Sequence, residues 1–146
     1  MNPADELTQY IGALANLFEV AQDNLGEAAK LSKQECRVLS VVGQFQPIIM
    51  RVISERSGLS ITNTTGIVDK LVQKKYLRRE RSDEDRRIIK VSLTSTGEEI
   101  YAMETDNYRK VSGAILAALD DQEQQEMLRM MKKATLHLAQ QTVLEP

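Results

Sequence analysis

A chain of 146 residues with 42% hydrophobic residues, 4% aromatic residues and a formal net charge of −2 suits one domain with a real core and excludes a second, catalytic domain. One cysteine excludes an internal disulfide, and a single histidine leaves no standard zinc-ligand set, so we expect no metal and no cofactor. The chain has no long apolar run and no signal peptide, which predicts a cytoplasmic protein without a membrane partner.

Two helices are predicted at the start of the chain. Apolar residues recur at steps of three and four over 7–25, which predicts a helix that Gly26 ends. Ser32 and Glu35 have the spacing of a capping box, in which each side chain accepts from the other residue's backbone amide. A second helix should therefore begin there and end near Gly43.

A helix-turn-helix pattern follows. The apolar run 48–50 is too short for a helix and predicts one small strand. Residues 52–57 then form a helix, Gly58 supplies a left-handed turn, and Ser60 is the N-cap of the next helix. A helix pair with a purely structural role has the same pattern, so both interpretations stay open at this point.

The second helix of this pair has one apolar face and one short polar face. Ile67, Val68 and Leu71 form the apolar stripe. The residues off the stripe are small, polar or basic: Thr62, Asn63, Thr65, Gly66 and Lys70. Side chains of this kind at the start of a helix read base edges in a major groove, so this helix is predicted to contact DNA.

A charged hairpin is predicted next, with strands over 77–81 and 88–93 and a tip at 82–87. Residues 51–90 carry 11 Lys and Arg against 6 Asp and Glu, whereas the segments before and after them are acidic. This distribution directs one basic face toward phosphate, although a solvated charged loop has the same composition.

Two further helices complete the chain. Thr94 is the predicted N-cap of a long helix, and Asp120 starts a second capping box. The apolar stripes over 7–25 and 101–140 exceed what a lobe of residues 32–95 can cover. We therefore predict that the terminal helices join two copies of the chain.

Four segments together resemble the MarR family of bacterial transcription regulators. They are ISERSGLS at 53–60, IVDKL at 67–71, DEDRR at 83–87 and VSLTSTG at 91–97. The resemblance implies a mainly α fold with a small β wing, that is, a winged helix-turn-helix with N- and C-terminal dimerisation helices. It implies a single MarR-type domain over 1–146, with a winged-helix DNA-binding lobe at 32–95 and a helical dimerisation region at 1–30 and 96–146.

The resemblance further implies a homodimer on double-stranded DNA, usually a repressor on a pseudopalindromic operator, which a small aromatic or phenolic effector releases. It places Arg87 at the wing-tip position whose guanidinium enters the minor groove, and Asp85 at the acidic position that orients this arginine. The expected DNA-binding residues are Ser60, Thr62, Asn63, Thr65, Gly66, Lys70, Arg79, Arg86 and Arg87. Two positions depart from the family pattern, since Gly66 stands where arginine is common and Lys75 where glycine is common.

An effector pocket is expected between the terminal helices and the lobe, because apolar pockets form where parts of a fold meet. Its expected lining residues are Leu14, Phe18, Cys36, Leu39, Tyr108 and Val111. The apolar neighbours of Cys36 favour packing over redox chemistry, yet a redox-responsive regulator stays open as an alternative. A winged-helix module that binds protein is a further alternative. No catalytic residue set is present, so the chain is predicted not to be an enzyme.

Overall fold

The computed structural model describes residues 1–144, which form six helices and three short strands. In chain order the elements are α1 (Pro3–Ala29), α2 (Lys33–Phe45), β1 (Ile48–Ile49), α3 (Met50–Ser57), α4 (Ile61–Gln73), β2 (Leu77–Arg81), β3 (Ile89–Leu93), α5 (Ser95–Ala117) and α6 (Asp121–Leu144). The prediction of a mainly helical fold with a small β wing is confirmed.

The strands form one antiparallel sheet in the order β1, β3, β2. β2 and β3 are the predicted hairpin, in which Leu77 lies opposite Leu93 and Arg81 lies opposite Ile89. Leu77, Val91 and Leu93 are buried in the core, whereas Arg81 and Ile89 are exposed. The base of the hairpin is therefore anchored by packing and its far end is left to solvent.

Side-chain caps begin four helices at the positions that the sequence predicts. The side-chain oxygen accepts from the amide three residues later, at 3.1 Å for Ser32, 3.1 Å for Ser60, 3.0 Å for Thr94 and 2.9 Å for Asp120. Each contact satisfies an amide that has no partner within the first turn of its helix.

The first two helices run further than predicted, and both pass through a glycine. α1 continues past Gly26 and ends where Lys30 takes the left-handed conformation, with a φ of 56°. A Cβ on Gly26 would lie 2.9 Å from the Leu31 carbonyl oxygen, and a Cβ on Gly43 would overlap the ring of Tyr101. Close packing, rather than a change of chain direction, therefore explains both glycines.

The hydrophobic core joins α2, α3, α4 and the base of the hairpin. Its fully buried side chains are Val38, Leu39, Val42, Ile53, Val68, Leu71, Leu77, Val91 and Leu93. Because α4 packs into this cluster through its apolar stripe, its opposite face is left exposed.

The chain divides into two compact units, Met1–Tyr108 and a second unit that begins at Arg109. The boundary falls within α5, so the first unit holds α1 and the complete winged helix, and the second unit holds α6. Among the residues that the structure describes, no helix is both long enough and apolar enough to cross a membrane.

Candidate nucleic-acid interface

Short polar contacts fix the turn between α3 and α4. Gly58 has a φ of 70°, which glycine adopts without strain. The Ser54 hydroxyl donates to the Leu59 carbonyl at 2.6 Å, and the buried Thr64 hydroxyl donates to the Ser60 carbonyl at 2.8 Å. These contacts set the direction in which α4 leaves the turn.

One face of α4 is exposed, and it carries the side chains that the sequence predicts to read DNA. The exposed residues include Ser60, Thr62, Asn63, Thr65, Gly66 and Lys70. The core holds the other face through Thr64, Ile67, Val68 and Leu71. An exposed helix face that bears short hydrogen-bonding side chains has the shape and chemistry to enter a major groove.

The tip of the hairpin is an ordered turn that presents an arginine. The amide of Ser82 donates to the Ile88 carbonyl, and the amide of Ile88 donates to the Asp85 carbonyl, both at 2.9 Å. The Asp85 carboxylate accepts from the guanidinium of Arg87, which holds the pKa of Asp85 below its ordinary value. The Arg87 side chain is nevertheless 91% exposed, so it is oriented but still accessible to a partner.

An ion pair joins the hairpin to α4. Arg79 of β2 contacts the carboxylate of Asp69, which lies on the exposed side of α4. An unpaired carboxylate on that face would repel phosphate, and Arg79 offsets its charge. Periodicity did not reveal this contact, because the two residues belong to different elements. Arg79 therefore positions the hairpin against α4, besides being a candidate DNA contact.

Two other predicted DNA contacts carry positive charge that the described part of the chain does not pair. Lys70 on α4 and Arg86 at the hairpin tip are both exposed and form no ion pair among residues 1–144. Arg78, by contrast, pairs with Glu80 at 3.0 Å on its own strand. Lys70 and Arg86 are therefore available to contact phosphate.

A cleft of about 360 Å³ lies in the first unit. Phe18 and Tyr108 line it, and their rings meet edge to face with centroids 5.5 Å apart. Its charged lining residues are Glu19, Lys33 and Arg37, and Lys33 pairs with Glu19 at 2.5 Å, so the guanidinium of Arg37 is the positive charge that this pair leaves in the cleft. The structure thus brings two of the six expected pocket residues to one cleft.

The remaining expected pocket residues lie elsewhere. Leu39 is fully buried in the core, and Cys36 lies in the core and beside a separate depression at the end of α1. Leu14 is half-buried on α1, and Val111 belongs to the second unit. Helical periodicity identified their faces but not which side chains meet.

The surroundings of Cys36 favour packing over redox chemistry. Burial, together with the nearby carboxylates of Glu104 and Glu35, raises the pKa of the Cys36 thiol to about 11. Because the thiolate is the form that oxidants attack, a buried thiol with a raised pKa reacts slowly.

A buried carboxyl on α5 was not anticipated. Glu104 is 3% exposed, and neither of its oxygens has a hydrogen-bond partner among the described residues. Burial raises the pKa of Glu104, and the hydroxyls of Ser40 and Tyr108 are the polar groups that face it. Its spacing of four residues from both Ile100 and Tyr108 puts it in the apolar stripe of α5, which is the signal that reveals it.

Comparison with known proteins relates the centre of the chain to one family. Residues 29–88 match the model of the MarR family. The HTH-type transcriptional regulator YfiV of Bacillus subtilis (strain 168) is 32% identical over 71 residues, which are 49% of this chain and 44% of YfiV. The match thus spans less than half the length of that relative.

Solved structures share the fold over nearly the whole chain. FabT of Streptococcus pneumoniae, crystallised in complex with DNA, has a TM-score of 0.76 at 18% identity and covers 94% of this chain and 98% of its own. The multiple antibiotic-resistance repressor (MarR) of Listeria monocytogenes 4b F2365 has a TM-score of 0.66 at 18% identity and covers 93% of this chain and 94% of its own. At these identities the likeness establishes the fold.

Proposed function

We propose that this chain is a member of the MarR family and a sequence-specific DNA-binding regulator of transcription that acts in the cytoplasm. The match of residues 29–88 to the MarR family model supports this proposal. The observation that carries the proposal is the exposed polar face of α4 beside a basic hairpin in the same compact unit. The related fold of FabT, which was crystallised with DNA, supports it.

In this proposal the two elements contact different parts of the duplex. The exposed face of α4 enters the major groove, where Thr62, Asn63 and Thr65 meet base edges. Arg87 enters the adjacent minor groove, whose negative potential attracts a guanidinium. Lys70, Arg79 and Arg86 contact backbone phosphates, which raises affinity for all sequences alike.

A binding experiment with fragments from the neighbourhood of the protein's own gene tests this function. We expect one fragment to bind well above the others at fixed salt, and Thr62→Ala to weaken that binding. Thr96→Ala is the matched control, because Thr96 is the exposed second residue of α5 as Thr62 is of α4. Equal, weak binding of all fragments would contradict sequence-specific recognition.

We further propose that the protein is a homodimer. α1 exposes large apolar residues, namely Leu7, Tyr10, Ile11, Leu17 and Val20, and α6 separately exposes Leu128, Met130, Met131, Leu136 and Leu138. Rows of this kind on a soluble chain indicate a protein partner, and a second copy gives a closed twofold assembly. Two copies related by a twofold axis then require an operator with two related half-sites.

Light scattering tests the dimer. Leu17→Glu places a charge among the apolar residues of α1 and should shift the mass toward the monomer. Gly12→Glu adds the same charge at an exposed position of that helix whose neighbours three and four residues away are not in the apolar row, so it should not. A wild-type monomer at micromolar concentration would contradict the proposal.

Repression and release by an effector complete the proposal. The Listeria relative is a repressor, and a protein bound across a promoter blocks transcription, so in vitro transcription from the bound fragment should fall as protein is added. The cleft beside Phe18 and Tyr108 suits a small aromatic or phenolic effector, because it combines aromatic rings with the guanidinium of Arg37. Aromatic acids that left both thermal stability and DNA affinity unchanged would remove the effector from the proposal.

A further inference from the structure

The exposed face of α4 is mostly polar, but it also carries one apolar residue. Ile61, the first residue of α4, is 50% exposed, although the core beneath the helix has fully buried positions for aliphatic side chains. A single exposed isoleucine is ordinary on a protein surface, so its meaning depends on its neighbours.

The neighbour one helical turn away is also partly apolar. The Thr65 hydroxyl donates to the Ile61 carbonyl at 2.8 Å, so its hydrogen is used within the helix. Residues four apart lie side by side on a helix, which places the exposed Thr65 beside Ile61. With its proton committed to the backbone, Thr65 offers a base edge its methyl group and an acceptor, but no donor.

The other exposed side chains of this turn differ. Thr62 and Asn63 form no side-chain hydrogen bond within the described chain, so their donors and acceptors are available to a partner. The exposed start of α4 therefore has an apolar part, Ile61 with the Thr65 methyl, beside a hydrogen-bonding part, Thr62 with Asn63.

In the major groove the group that an apolar contact recognises is the 5-methyl group of thymine. We infer that Ile61 and the Thr65 methyl group together form a subsite for the 5-methyl group of one thymine in each half-site of the operator. This inference rests on the proposed function and adds to it the identity of one base pair that α4 reads.

Deoxyuridine tests the inference, because it lacks only the 5-methyl group of thymidine and retains the same pairing and hydrogen-bonding edges. The probe is the tightest duplex recovered from a randomised library by selection with the full chain, together with duplexes in which each thymine in turn is replaced by deoxyuridine. At one position per half-site the wild type should bind about fourfold more weakly after the replacement, as expected for one lost buried methyl group.

Variants assign that loss to the subsite. Ile61→Ala should reduce the difference in affinity between the thymine and deoxyuridine duplexes at this position, while its melting temperature stays near that of the wild type because Ile61 is exposed. Thr65→Ser keeps the hydroxyl and loses the methyl, so it should reduce the discrimination. Thr65→Val keeps a methyl and loses the hydroxyl, so it should retain the discrimination.

The outcomes distinguish a failure of the thymine subsite from a failure of the proposed DNA-binding function. Equal binding of every deoxyuridine duplex by the wild type, or a selected site without thymine, overturns the thymine subsite and leaves DNA recognition standing. A deoxyuridine effect that persists undiminished in Ile61→Ala assigns the methyl to another group and also overturns it. Recovery of no duplex above the random pool overturns both the subsite and the proposed function.

Discussion

The guanidinium of Arg87 makes two hydrogen bonds to the carboxylate of Asp85, from Nε to Oδ1 at 3.1 Å and from Nη2 to Oδ2 at 3.2 Å. The backbone amide of Arg87 donates to the same Oδ1 at 3.0 Å. A two-point contact of this kind fixes the plane of a guanidinium, whereas a single contact lets it rotate. Asp85 thus orients Arg87, whose side chain is 91% exposed.

Asp85→Ala should therefore weaken DNA binding, even though it removes a negative charge from the surface that we propose meets phosphate. We expect a severalfold loss of affinity, because without this carboxylate the guanidinium of Arg87 must be ordered at the moment of binding. Asp83→Ala is the matched control, because Asp83 is an exposed acid of the same tip, and its removal should leave binding unchanged or tighter. Fluorescence anisotropy at several salt concentrations measures both. Tighter binding by Asp85→Ala would mean that this acid only repels DNA.

Gly66→Ala should change stability and affinity in opposite directions. A Cβ at Gly66 meets nothing within 4 Å, so alanine should raise the free energy of unfolding by about 1 kcal/mol through helix propensity. If the glycine permits close approach to DNA, the same methyl group should weaken binding. Gly12→Ala in α1 also meets open space and should stabilise without affecting affinity. Denaturant unfolding measures the stability and fluorescence anisotropy measures the DNA affinity. An unchanged affinity in Gly66→Ala would exclude a close approach of this glycine to DNA.

Glu104 should make the stability of the fold depend on pH. Burial raises the pKa of this carboxyl above its ordinary value of 4.5. The contribution of the protonated Glu104 to the free energy of unfolding is therefore fully present below pH 4.5 and is lost as the pH rises through the folded-state pKa. Because glutamine cannot ionise, the free energy of unfolding of Glu104→Gln should exceed that of the wild type above that pH, by about 1 to 3 kcal/mol. Chemical denaturation across pH measures the gap, with the exposed Glu99→Gln as a control that should show none.

Gly97→Ala should destabilise the fold severely. A Cβ at Gly97 would lie 2.0 Å from the carbonyl oxygen of Tyr76, a backbone atom that also accepts from the amide of Thr94 at 3.0 Å. Relief requires the α4–β2 connection to move away from α5, so we expect a loss of about 3 kcal/mol or more. Gly113→Ala on the same helix has open space and should stabilise instead. A melting temperature of Gly97→Ala equal to that of the wild type would contradict this packing.

Features set by near neighbours in sequence were predictable, and features set by distant ones were not. The caps at Ser32, Ser60 and Thr94 follow from spacings of three residues, and so they were located correctly. The Arg79 contact with Asp69 crosses from a strand to a helix, and no local pattern encodes it. Glu104 belongs to both cases. Its spacing of four residues from Ile100 and Tyr108 puts it in the apolar stripe of α5, whereas the hydroxyls of Ser40 and Tyr108 that face its carboxyl are known only from the folded chain.

The turn after α4 illustrates both cases. The family resemblance marked Lys75 as standing where glycine is common, and Lys75 does have a φ of 65°. The carbonyl of Lys75 accepts from the Thr94 hydroxyl at 2.6 Å, a partner 19 residues away that only the folded chain reveals. The conformation was therefore predictable, but the contact that accompanies it was not.

Lys74, at the C-terminal end of α4, is held by two acceptors from other elements. Its ammonium lies 2.7 Å from a carboxylate oxygen of the buried Glu35 on α2 and 3.0 Å from the carbonyl of Lys30 at the end of α1. The ammonium of Lys74 thus works as a mechanical linkage from the α1–α2 corner to the C-terminal end of α4, the helix that we propose enters the major groove. A shift of that corner must either pull the end of α4 along with it or break one of these two contacts, and Lys33, which lines the cleft, belongs to the same corner.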